Sequence, residues 1–111
     1  MDAAATRRQL KIKSGVAKRL LKENRLYRDE VEEHTRKLDK LVAGGSAEAW
    51  DLKNGKAMLE ESKKMVEDSN TRLGRAVGDL HDLVNAAKKD EGLSQSEELL
   101  KAEEALEEAS L

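Results

Sequence analysis

The sequence predicts an all-α fold: an elongated antiparallel three-helix bundle, with two long helices and one shorter C-terminal helix packed as in a coiled coil. Three observations carry this. Proline and phenylalanine are absent, tryptophan and tyrosine occur once each, and 40% of the residues are charged, which suits solvent-washed helices rather than a sheet. Apolar residues recur at alternating three- and four-residue spacing along both halves of the chain. Gly44-Gly45 and Asp90-Glu91-Gly92 then divide it into two long stretches and a short one. A mean hydropathy of -0.77 is also that of disordered chains, but those do not keep a seam over several heptads.

The first helix is expected over about 6–42. Its seam reads Leu10, Lys13, Ala17, Leu20, Asn24, Tyr27, Val31, His34, Leu38, Leu41, and seven of these ten are apolar or aromatic. Gly44-Gly45 ends it, because glycine adopts positive φ without strain. Ser14 is alternatively the cap of a helix that starts later. Ser46 is the expected cap of a second helix over about 47–89, with the seam Leu52, Gly55, Leu59, Ser62, Val66, Ser69, Leu73, Ala76, Leu80, Leu83, Ala87. Lys88 and Lys89 suit its negative dipole end. Ser94 is the expected cap of a third helix over about 94–110, whose stripe is Leu99, Ala102, Leu106, Ala109, flanked by Leu93 and Leu100.

At 111 residues the chain is expected to form one domain, 1–111. At about 1.5 Å rise per residue the long helices reach about 55 to 65 Å and the third about 25 Å. Short connections make neighbours antiparallel, so the third helix is expected to cover only the first half of the first. Ile12, Val16, Val77 and Val84 are the extra apolar positions expected to face it.

Most site chemistry is missing. Without cysteine neither a disulfide nor a thiolate site exists. His34 and His81 fall on opposed helices roughly 35 Å apart by helical rise, too far to share a metal. Adjacent carboxylates such as Glu60-Glu61 splay around a helix. No enzyme, cofactor or metal is expected. Gly74 and Gly78 form a G-x-x-x-G without an apolar run of membrane length, so they read as a loosely held stretch of helix. Neither a signal peptide nor a membrane span is expected, and the cytosol is the default.

Charge is unevenly spread. Residues 7 to 28 hold nine basic side chains and one acid, whereas residues 90 to 111 hold eight acids and one lysine. The predicted topology sets these segments side by side, so part of the basic surface is expected to be matched inside the fold, at about 0 to 1 kcal/mol per exposed pair. A basic arm for nucleic acid is the competing reading; the pI of 5.8 and the lack of a groove-reading module weigh against it. A membrane surface is disfavoured because no Trp or Phe anchors the stretch before Tyr27.

The same basic stretch resembles a known family. Leu10-Lys11-Ile12-Lys13-Ser14-Gly15-Val16, then Lys18-Arg19-Leu20, Lys22-Glu23 and Tyr27, are similar to the opening signature of tubulin-binding cofactor A. Trp50-Asp51-Leu52-Lys53, then Leu59, Glu61-Ser62, Met65, Asp68, Arg72-Leu73 and Asp79-Leu80, resemble the family's second-helix motifs. The likeness spans about residues 8 to 84; the third helix matches only in length and acidity. Where the family commonly carries Met-Met-Ile-Pro-Asp, this chain reads Lys64-Met65-Val66-Glu67-Asp68. Glu67 in place of proline predicts a straighter second helix. Gly74 and Gly78 stand where relatives carry larger residues.

The resemblance implies a cytoplasmic, cytoskeleton-associated chaperone that captures β-tubulin after chaperonin release. It would hold β-tubulin and pass it toward assembly with α-tubulin, meeting other tubulin-folding cofactors only indirectly, and would use no nucleotide. On this reading Lys11, Lys13, Lys18, Arg19 and Lys22 supply electrostatic attraction to an acidic partner, and Tyr27, Glu61, Ser62, Met65 and Arg72 complete the contact set. Trp50 is read as a staple against the first helix rather than as an exposed contact. A coiled-coil scaffold is the alternative from another class.

Overall fold

Asp2 opens the first helix. Its carboxylate accepts the amide of Ala5 at 2.7 Å, and its carbonyl accepts both the amide and the hydroxyl of Thr6. Donors that a helix start leaves unpaired are thereby satisfied, and the helix begins ahead of the expected residue 6. The computed structural model describes residues 2–45 and 48–110. They form α1 (Ala3–Gly44), α2 (Ala49–Lys88) and α3 (Glu97–Ala109); no strand occurs among the described residues.

α1 continues through Ser14-Gly15. The Ser14 hydroxyl donates to the Leu10 carbonyl at 2.6 Å, so Ser14 is an interior residue and not a cap. Gly45, at φ 65°, ends the helix. The expected Ser46 cap lies outside the described residues. α2 runs unbroken past Glu67, in keeping with the absence of proline there. It closes in a tightened last turn, where the amides of Lys89 and Asp90 reach Ala86 and Ala87.

The cap of α3 differs from the sequence expectation. Ser96, extended at φ -71° and ψ 147°, accepts the Leu99 amide. Ser94 still belongs to the turn: its amide bonds the Asp90 carbonyl and its hydroxyl donates to Glu91. The turn also folds on Asp90, whose side chain takes the Gly92 amide at 2.9 Å, and α3 starts only once that bonding is complete.

The chain divides into two compact units, one made of the residues up to Lys22 with those from Thr71 onward, the other Glu23–Asn70. The first contains the ends of α1 and α2 and all of α3. Its core takes Leu10 and Ala17 from α1, Leu80, Val84 and Ala87 from α2, Leu93 from the turn, and Leu99, Ala102 and Ala105 from α3. Leu83 and Leu106 pack against it. Ala105, outside the expected stripe, is buried, while Leu100, expected to flank it, is 53% exposed.

Ile12 corrects another expectation, being 50% exposed where it was to face α3. α3 instead lies along the side of α1 that carries Lys11, Ser14 and Lys18. Two residues turn a helix by about 200°, so a partner beside Ser14 leaves Ile12 on the far side. Val84 is buried as expected, and Val16 and Val77 are half-buried.

The second unit is an α1–α2 hairpin. Its seam residues Val31, Leu38, Leu41, Leu52, Leu59 and Val66 are all only half-buried. The helices come close at Gly55, where a Cβ would stand 3.2 Å from Leu38 Cδ1. At the other end of the hairpin the Asn24 amide donates to Ser69 Oγ at 3.2 Å and to Asn70 Oδ1 at 2.7 Å. Arg28 donates to the same pair, to Asn24 Oδ1 at 2.8 Å and to Asn70 Oδ1 at 3.2 Å. Asn24 and Ser69 are buried, so their polar atoms need those bonds, whereas Arg28 and Asn70 are exposed.

Candidate functional site

Basic residues of α1 meet the first turn of α3 across a groove of about 370 Å³ in the first unit. Lys11, Ser14, Gly15 and Lys18 form one side, Glu97, Glu98 and Lys101 the other. Lys11, Gly15 and Lys18 are exposed and share a face because they recur at four and three residues. Lys101 Nζ lies 2.9 Å from Glu97 Oε1. The hydrogen bond and then the charge of Lys101 hold the Glu97 carboxyl below its ordinary pKa, and Glu97 in turn raises that of Lys101.

The expected charge match between α1 and α3 is therefore not made of contacts: among the described residues no ion pair within 4 Å joins the two helices. Besides Lys101–Glu97, Lys37–Glu33 at 3.1 Å and Lys63–Glu60 at 3.6 Å pair within their own helices. Two cations of the 7–28 stretch are used by neutral oxygens instead. Arg7 donates to the Gly92 carbonyl at 3.3 Å, and Arg28 serves the Asn24 layer. Long side chains reach such carbonyls without desolvating a second charge.

The other sequence-selected residues are scattered. Arg19 and Lys22 are exposed in the first unit, where Lys13 is half-buried on the seam. Arg72 is exposed on α2 and has a partner of its own. In the second unit Tyr27 and Met65 are half-buried and Glu61 is exposed. Ser62 is 7% exposed, and its hydroxyl donates to the Met58 carbonyl at 3.0 Å. Trp50 is not a staple: it is 70% exposed. It precedes the seam residue Leu52 by two positions, which turns it to the outer face of α2, where it lines a groove with Lys53, Asn54 and Ala57. Among the described residues no cluster suits a metal ion, and no helix is long and apolar enough to cross a membrane.

Comparison with known proteins identifies this helical arrangement. The family described as tubulin binding cofactor A matches residues 5–106. The chain belongs to the tubulin binding cofactor A family. Human tubulin-specific chaperone A is 36% identical over 104 residues, covering 94% of this chain and 93% of the relative. Tubulin-folding cofactor A of Arabidopsis thaliana is 41% identical over 76 residues, 68% of this chain and 66% of the relative. The crystal structure of the Arabidopsis cofactor superposes with a TM-score of 0.88 at 31% identity, covering 96% of this chain and 97% of that one. The human cofactor gives 0.83 at 33% identity, with coverage of 96% and 99%. The family match reaches into α3, to residue 106, beyond the 8–84 stretch in which the sequence motifs are legible.

Sequence reasoning passed over Gly15 and Lys101 as parts of a site. The signal was present for Gly15: a glycine inside a strong helical period is unfavourable and asks for a reason. Lys101 enters only through the docking of α3.

Proposed function

We propose that this protein is a tubulin-folding cofactor that captures β-tubulin after its release from the chaperonin, holds it, and passes it on toward the αβ heterodimer. The observation that carries this reading is the match to the tubulin binding cofactor A family across residues 5–106. The surface is compatible with it. Exposed Lys11, Lys18, Arg19 and Lys22 on α1 accelerate encounter with an acidic protein more than they deepen its affinity. The protein acts by stoichiometric capture in the cytoplasm, not by catalysis, and needs neither nucleotide nor metal. Glu61 and Trp50, both exposed on α2, belong to the contact set; Ser62 supports it from within the seam.

The test sets co-elution with purified β-tubulin against a nucleic-acid gel shift at equal ionic strength. Tubulin is expected to be retained and nucleic acid not. Retention of nucleic acid alone would overturn the reading, and a tight self-dimer that ignores tubulin would favour a scaffold. Reversing Lys11, Lys13, Lys18 and Arg19 together to Glu is expected to weaken capture while leaving the helical circular dichroism in place.

A further inference from the structure

Gly15 has no reason within the fold. Glycine inside a helix sacrifices stability relative to alanine, and it is ordinarily kept where φ is positive or another element comes close. The sole positive-φ glycine among the described residues is Gly45, and a Cβ built on Gly15 meets nothing within 4 Å. Gly55 is the contrast, since its missing Cβ admits Leu38. Gly74 and Gly78 are equally open, yet neither lines the groove between α1 and α3, and Gly15 does.

That groove holds bare backbone at Gly15 between the aliphatic stems of Lys11 and Lys18. Lys101 on the opposite wall is occupied by Glu97 at 2.9 Å. Lys11 and Lys18 have no ion pair among the described residues. Long lysines present apolar stems and keep their ammonium groups at the rim, so the groove offers an apolar floor beside two uncommitted positive charges. Glu98, half-buried on the α3 wall, repels a carboxylate on that side.

We propose that this groove seats an acidic segment of the bound tubulin chain. An apolar side chain of the segment lies on the backbone at Gly15, and its carboxylates meet Lys11 and Lys18. Glu98 orients the segment with its acids toward α1. The inference rests on the tubulin reading above and adds the place and chemistry of one contact. A small residue at the centre of a contact, ringed by long side chains that exclude water, is how a partner's anchor is accommodated.

Purified β-tubulin is the probe, and affinity and melting temperature are measured for the native chain, Gly15→Leu, Lys18→Glu and Gly74→Leu. Gly15→Leu fills the groove and improves helix propensity, so it is expected to melt roughly 4 °C higher and to bind tubulin at least about tenfold more weakly. Lys18→Glu is expected to weaken binding several-fold without lowering the melting temperature. Gly74→Leu, which adds the same side chain away from the groove, is expected to bind as the native chain does. Native affinity in Gly15→Leu overturns the proposal, as does an equal loss in Gly74→Leu. Should Gly15→Leu melt lower, native affinity in Lys18→Glu overturns it. A native chain that fails to bind tubulin overturns the functional reading itself, a result distinct from either.

Discussion

The two units of this chain share α1 and α2 but are held together by different means. The three-helix unit buries ten apolar residues, Leu10, Leu80 and Leu99 among them, to below a tenth of their surface. In the hairpin unit the residues buried to that degree are Asn24, Ser62 and Ser69, all polar. The seam patterns of the two units are equally regular, so pattern does not make the difference. Two helices shield one another along a single line, and a third closes the sides. Half-buried leucines gain only part of the hydrophobic term, and the hairpin adds fixed hydrogen bonds at the Asn24 layer. A buried polar pair of this kind selects register at some cost in stability.

The comparison breaks first in the cores. Leu80→Ala is expected to destabilise by about 2–5 kcal/mol, and Leu59→Ala in the hairpin by about 1 kcal/mol; urea denaturation measures both. Equal costs would mean that the hairpin is packed as tightly as the core. Native-state hydrogen exchange is expected to show faster opening of seam amides in 23–70 than in 71–88.

The polar layer comes next. Asn24→Ala removes the partner of Ser69 and Arg28, and about 1–2 kcal/mol is the expected loss on thermal denaturation. Replacing both sides, Asn24→Leu with Ser69→Ala, is expected to restore native stability or exceed it, because no buried polar group is then left unpaired. A double variant less stable than Asn24→Ala would show that the layer stabilises outright and does not merely select register.

Gly74→Ala and Gly78→Ala sharpen the picture of the first unit. Both positions are exposed with open space at the Cβ, so each is expected to add about 0.5–1 kcal/mol through helix propensity alone. A loss would reveal an approach by another element.

The smallest effect is that of pH. In the pairs Glu33–Lys37 of the hairpin and Glu97–Lys101 of the three-helix unit, the lysine's hydrogen bond and then its charge pull the carboxyl below 4.5. A carboxyl with a lowered folded pKa stabilises above 4.5 and loses that contribution as the pH falls through the folded value. Lys101 is raised above 10.5, so its contribution is complete below 10.5 and fades above. Both pairs are exposed, so only a shallow loss of helical signal is expected, beginning below pH 4.5 and again at high pH.

The helical period is a property of local spacing, and it was legible. Every residue of both long seams, from Leu10 to Leu41 and from Leu52 to Ala87, is buried or half-buried, polar members included. One error arises where a third body intervenes, and two others have local causes. Ile12 and Ser14 look alike to a periodicity, but only the position of α3 decides that Ser14 goes inside and Ile12 out. Ser94 and Ser96 are both plausible caps, and the bonding around Asp90 decides between them. Trp50 was misplaced because its hydrophobicity outweighed its register.

The sequence by itself determined three helices, their seams, the glycine stop after α1 and a likeness to one family, because these depend on residues a few positions apart. Only the tertiary structure decided which side of α1 receives α3, which cations remain uncommitted and which glycine lies open in a groove. Those outcomes depend on residues more than eighty positions apart, such as Lys11 and Glu98, and spacing along one helix holds no information about them.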